Sequence, residues 1–118
     1  MNTLTQIDES RVSIRKCQQF LDAIGNKSRF DIVYTLLDGD FKGMRIGEIA
    51  RRSKLSRPTV THHLKVLLDT EVIGIYSKGT RNYYYIKLGG EWQEVVMFIN
   101  LAEKIRSKKY AEKIENVS

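Results

Sequence analysis

The stretch LSRPTVTHHLK, residues 55 to 65, gathers three hydroxyls (Ser56, Thr59, Thr61), two imidazoles (His62, His63) and two cations (Arg57, Lys65). Such side chains can attack a substrate, hold a metal or donate hydrogen bonds to an anion, and spacing separates these uses. Adjacent histidines on a helix point about 100° apart and cannot close on one ion as an i, i+4 pair can. The chain has no glycine-rich phosphate loop, no paired-carboxylate motif and no Cys/His nucleophile arrangement, so no catalytic residue, metal ligand or cofactor is expected and the protein is not read as an enzyme. What remains is hydrogen bonding from short polar side chains, suited to phosphates and base edges of double-stranded DNA. A second cationic group, Lys78 and Arg81 with Thr80, lies in SKGTRN, where a cation can follow a phosphate or enter the minor groove. The candidate binding residues are therefore Ser56, Arg57, Thr59, Thr61, His62 and Lys65, together with Lys78 and Arg81.

The charge distribution agrees. The 118 residues carry a net charge of +6. Residues 42 to 88 hold ten bases against three acids, whereas the first 41 residues sum to −1 and the last 30 to zero. All of the excess therefore sits around the two polar motifs, as expected of a surface that faces a polyanion. The longest apolar runs are too short to cross a membrane, and the polar start MNTLTQIDES lacks a secretory apolar stretch, which makes the cytoplasm the expected compartment. A lone Cys17 can form no internal disulfide and suits a reducing compartment.

The elements that must position these motifs follow from periodicity. Over residues 7 to 24, Ile14, Cys17, Phe20 or Leu21, and Ile24 recur at helical spacing, with Gly25 as a stop. Asn26 caps a second helix whose inward stripe reads Phe30, Val33, Leu36 and Leu37. A short third helix near 46 to 53 turns Ile49 and Ala50 inward and Arg51 and Arg52 outward. Ser56 caps a fourth, with Pro58 in its first turn and Val60, Leu64, Leu67 and Leu68 buried. The period then drops to two: Ile73 and Ile75, then Tyr84 and Ile86 facing inward against Tyr83 and Tyr85, form a hairpin. A final helix, residues 90 to 114, aligns Trp92, Val95, Val96, Ile99, Ala102 and Ile105. The third and fourth helices, with Ala50, Leu55 and Val60 at the crossing and turn, read as a helix-turn-helix (46 to 68) and the hairpin as its wing (72 to 88). The fold expected is mainly α with a small β-hairpin, a single winged helix-turn-helix domain in the order α-α-α-α-β-β-α.

The blocks AIGNKSRFDIVYTLL, IGEIARRSKLSRPTVTHHLKVL and GIYSKGTRNYYYIKL make the chain similar to the ArsR/SmtB repressor family across roughly residues 20 to 88. That resemblance implies a homodimer joined through the first and last helices, with two recognition helices reading operator half-sites about 34 to 36 Å apart. It also implies repression by occupying a promoter. The chain departs from the family in three places. Lys54 stands where the family has a turn glycine, Asn26-Lys27 replaces its Asp-Pro helix start, and neither metal arrangement of the family is present, because the third helix lacks cysteine and the last lacks histidine. Cys17, in line with Ile14 and Phe20, reads as a buried small hydrophobe. The remaining alternatives are a winged-helix protein-interaction module and a repressor answering to an organic ligand or a redox signal.

Overall fold

The computed structural model describes residues 12–40, 42–87 and 89–117. Helices α1 (Ile14–Ile24), α2 (Lys27–Asp38), α3 (Ile46–Ser53) and α4 (Arg57–Asp69) precede strands β1 (Ile73–Lys78) and β2 (Arg81–Ile86), and α5 (Glu91–Val117) follows. Short polar side chains set three of the helix starts. Ser13 Oγ accepts from Lys16 N–H, Asn26 Oδ1 from Arg29 N–H, and Ser56 Oγ from Thr59 N–H, each satisfying a donor that the first turn leaves open. α3 ends on Lys54 in the left-handed conformation, φ 60 and ψ 34, with its N–H donating to Ala50 O. The helix-turn-helix thus turns on a non-glycine residue where the sequence anticipated one.

β1 and β2 pair antiparallel from Ile73↔Ile86 to Lys78↔Arg81, leaving Gly79-Thr80 as the tip, with Gly79 at φ 64. On the outer edge of β2, Met44 exchanges backbone hydrogen bonds with Tyr84, at 2.9 and 2.8 Å, which ties the α2–α3 loop to the wing. Tyr84 packs partly buried against the core. On the opposite face of the wing Tyr76 and Tyr83 stack at 5.2 Å, and Tyr85 lies over Gly74, where any side chain would meet its ring.

The core lies where α2, α3 and α4 meet the base of the wing. Ile32, Ile49, Val60, Leu67 and Val72 are fully enclosed, with Phe20, Leu64 and Ile73 close behind. Each such side chain contributes about 1.5–3 kcal/mol of burial. α5 is fastened to this body at its first turns. Trp92 packs edge-on to Phe20 at 4.8 Å and donates from Nε1 to Val72 O, while Glu94 takes Ser13 N–H on Oε2 at 2.7 Å and the Cys17 thiol on its carbonyl.

Three expectations are corrected. The first helix begins at Ile14 rather than residue 7, because Ser13 is its cap with extended backbone (φ −85, ψ 105); residues 7 to 11 lie outside the described residues. In α2 the inward side is Ile32, Val33, Thr35 and Leu36, whereas Phe30 (54%) and Leu37 (55%) are exposed. The stripe is rotated by about a quarter turn, bringing Ile32 and Thr35 inward, and Thr35 can be buried since its hydroxyl donates to Asp31 O at 2.7 Å. In α1, Ile14 is exposed rather than inward.

Candidate nucleic-acid interface

α4 and its cap Ser56 carry six of the eight expected contacts, and the helix geometry sorts them. Val60, Leu64 and Leu67 press into the core. At 100° per residue this turns Arg57, Thr61 and Lys65, spaced four apart, into one exposed row, with Pro58 and the exposed His62 beside it. Thr59 is half-buried at the shoulder of the first turn. The hydroxyls are not equally available. Ser56 donates to Thr59 Oγ1 at 2.8 Å and Thr61 to Arg57 O at 2.9 Å, so Thr59 keeps the free hydroxyl proton while Ser56 and Thr61 offer lone pairs.

Lys78 and Arg81 are opposite one another across the last pair of the hairpin, both exposed. A tight connection joins α4 to the base of the wing. The helix ends at Thr70, whose N–H and hydroxyl both donate to Val66 O; Glu71 adopts φ 58, and Val72 N–H returns to Leu67 O at 3.0 Å. Glu71, the second non-glycine residue with positive φ, then pairs with Lys87 at 2.9 Å. Among the described residues no carboxylate pairs with Arg57, Lys65, Lys78 or Arg81, leaving their charge for an external anion.

His63 behaves differently from its neighbour. It is half-buried, its Nδ1 lies 3.4 Å from Arg29 Nη1, and burial together with the Arg29 and His62 charges lowers its pKa. A neutral, packed His63 links α4 to α2 and is structural. Cys17 is buried and its thiol donates to Glu94 O at 3.1 Å; burial, then Glu94 and Glu91, raise its pKa, which makes the thiol inert.

Sequence reasoning overlooked one feature next to α4. Arg45, at the cap of α3, Arg51 and Arg57 line an open cleft of about 380 Å³ together with Ile46, Gly47 and Glu48. The available signal was Gly47, a glycine inside a helix with no turn to make.

A helix-turn-helix with an exposed polar recognition face and a cationic two-stranded wing defines a winged helix-turn-helix nucleic-acid-binding protein. The model of the bacterial regulatory protein arsR family matches residues 26–73. The chain is 39% identical over 62 residues to the transcriptional repressor SdpR of Bacillus subtilis, covering 52% of this chain and 66% of that one. It is 30% identical over 71 residues to an uncharacterized HTH-type transcriptional regulator of Methanocaldococcus jannaschii, covering 60% and 78% respectively. A homodimeric winged helix-turn-helix DNA-binding domain from Mycobacterium bovis superposes with a TM-score of 0.59 at 19% identity, over 87% of this chain and 91% of that one. The chain belongs to the arsR family of DNA-binding transcriptional regulators. No described helix is long and apolar enough to cross a membrane.

Proposed function

We propose that two copies of this chain, joined through α1 and α5, bind duplex DNA as a sequence-specific repressor, with the helix-turn-helix, wing and terminal helices acting as one unit. The observation that carries this reading is that the exposed α4 cations Arg57 and Lys65 and the wing cations Lys78 and Arg81 have no carboxylate partners among the described residues. In the DNA complex Arg57, Lys65, Lys78 and Arg81 release counterions from phosphates, and Thr59 and His62 read base edges, with Ser56 and Thr61 supporting them as acceptors. The exposed apolar residues Ile14, Leu21, Val96 and Ile99 support a second copy as the cover for the terminal helices, and the homodimeric domain from M. bovis supports the same arrangement. The regulator works without either metal arrangement of its family, a reading supported by a third helix without cysteine and a last helix without histidine.

The test is selection of bound fragments from random duplexes, followed by titration of the selected site at several salt concentrations. Arg81→Ala is expected to weaken all sequences alike and lower the salt slope by about one unit, whereas Thr59→Ala and His62→Ala shift the preferred sequence. Zinc, copper or chelator leaves the affinity unchanged. Equal affinity and preference for wild type and all three variants would sink the assignment of this surface.

A further inference from the structure

We propose that the arginine cleft between α3 and α4 is a phosphate-binding site, which in the DNA complex grips one backbone phosphate beside the groove that α4 enters; this deepens the DNA-binding reading and rests on it. Its cations differ from Arg29, Arg52 and Arg106, which are held within the fold. Arg52 is held by Asp38 at 3.0 Å and Glu48 at 3.8 Å, Arg106 by Glu103 at 2.6 Å, and Arg29 by Ala23 O. Among the described residues Arg45, Arg51 and Arg57 have no ion-pair partner. The one acid on the wall, Glu48, reaches toward Arg52 instead. Three guanidinium groups are therefore collected around one opening without internal neutralisation.

Gly47 gives the Arg57 guanidinium its place against α3. A Cβ built there would sit 2.6 Å from Arg57 Nη2 and 3.3 Å from its Cζ. A helical glycine is less favourable than alanine, so this position gives up helix stability for room in which the guanidinium of one helix lies against the first turn of the other. The same turn adds donors. The Arg45 side chain does not cap α3, and the first bonds to Arg45 O come from Glu48 and Ile49 N–H, at 3.0 and 3.1 Å, which leaves the N–H groups of Ile46 and Gly47 without an acceptor among the described residues. Planar guanidinium forks match the oxygens of phosphate, and an open cleft admits a phosphate that remains linked on both sides. Among the described residues Ile46 is the only apolar side chain on the wall, too little for an apolar effector. Arg57 belongs both to the cleft and to the exposed row of α4, which favours the DNA backbone over a free phosphorylated molecule as the source.

The experiment uses the full chain in two arms. In the first, anisotropy of a labelled random-sequence duplex across a salt series compares wild type, Arg45→Gln/Arg51→Gln, Gly47→Ala, Arg81→Ala and, as a remote charge control, Arg106→Gln. The double variant is expected to lose about one unit of salt slope, in keeping with one phosphate contact. Gly47→Ala keeps every charge and weakens binding by displacing Arg57, without lowering the unfolding temperature, and Arg106→Gln matches wild type. In the second arm, inorganic phosphate is titrated without DNA while the amide resonances of Ile46 and Gly47 are followed. Saturable shifts together with the slope loss support the cleft as a DNA-phosphate site. Saturable shifts with a wild-type slope in both cleft variants keep the phosphate site and give it to a free phosphorylated molecule. No saturable shift, with a wild-type slope in both cleft variants while Arg81→Ala still lowers it, overturns the cleft and spares the DNA-binding reading. Should wild type bind no duplex at all, that reading falls and the phosphate titration alone decides the cleft.

Discussion

The two ends of this molecule expose opposite chemistry. At the α3–α4–wing end, Val60, Leu64 and Leu67 are sealed and the surface above them carries cations and hydroxyls. At the α1–α5 end the outer surface carries large apolar side chains, with Ile14 at 66% and Ile99 at 57% exposure. Charge left unpaired is tolerable in water and useful against a polyanion, whereas apolar area left in water is a standing penalty until something covers it. The first end is finished as a folding unit and unfinished only toward its ligand. The second is unfinished as a surface. Substitutions at the two ends should therefore fail in different measurements.

The largest effect is expected beneath α4. Leu64→Ala removes a side chain only 2% exposed and should destabilise the fold by about 2–5 kcal/mol, through lost transfer energy and a cavity. Urea unfolding reads this directly. A loss under 1 kcal/mol would mean that the floor of α4 is not the rigid support described here.

At the other end Ile99→Glu should behave in reverse. Its side chain is mostly outside the core, so unfolding of the isolated subunit moves by roughly 0.5 kcal/mol or less. Self-association should instead weaken by an order of magnitude or more, because a desolvated carboxylate would sit in an apolar interface. Sedimentation velocity across a concentration series separates the two. A variant that associates like wild type would move the second copy away from α5.

How far this contrast could be read from the chain depends on the kind of information each part needs. Caps and turns are local, so Asn26, Ser56, the bounds 46 to 53 and the left-handed Lys54 were all legible. Stripes are less secure. In α2 the set Phe30, Val33, Leu36, Leu37 and the set Ile32, Val33, Thr35, Leu36 both have helical spacing, and only the arrangement of α3 and α4 selects the second. Lys78 and Arg81 were already set apart on the wing by the sequence, but the division of the α4 residues into an exposed row and a half-buried shoulder was not legible. The Gly47–Arg57 seat joins two helices across the turn; the helical glycine hints at a close approach, but no local spacing names Arg57 as its partner.

A smaller effect sharpens the helix-turn-helix side. Lys54 holds φ 60 at the end of α3, a conformation that costs a non-glycine residue roughly 1–2 kcal/mol. Lys54→Gly relieves it but loosens the unfolded chain, leaving a net gain of about 1 kcal/mol or less. A higher unfolding temperature with an unchanged DNA sequence preference is the expected result. A drop in stability would show that the lysine stem contributes packing that the backbone geometry conceals.

The smallest predicted effect concerns His63, a titrating group that joins α4 to α2. Burial, then Arg29 and His62, lower the pKa of His63, while in the unfolded chain it sits near its ordinary value, about 6.5. As pH falls through that value the unfolded state takes up a proton before the folded state does, so stability declines from about pH 6.5 downward until the lower folded pKa is passed. Because α4 is tied to α2 through this contact, the acid loss should loosen the recognition helix while the terminal helices keep their contacts. His63→Gln can still accept from Arg29 but takes up no proton, and its unfolding temperature should fall less between pH 7.5 and pH 5.5 than that of wild type. Parallel profiles for the two proteins would assign the acid sensitivity to other groups and leave His63 as packing alone.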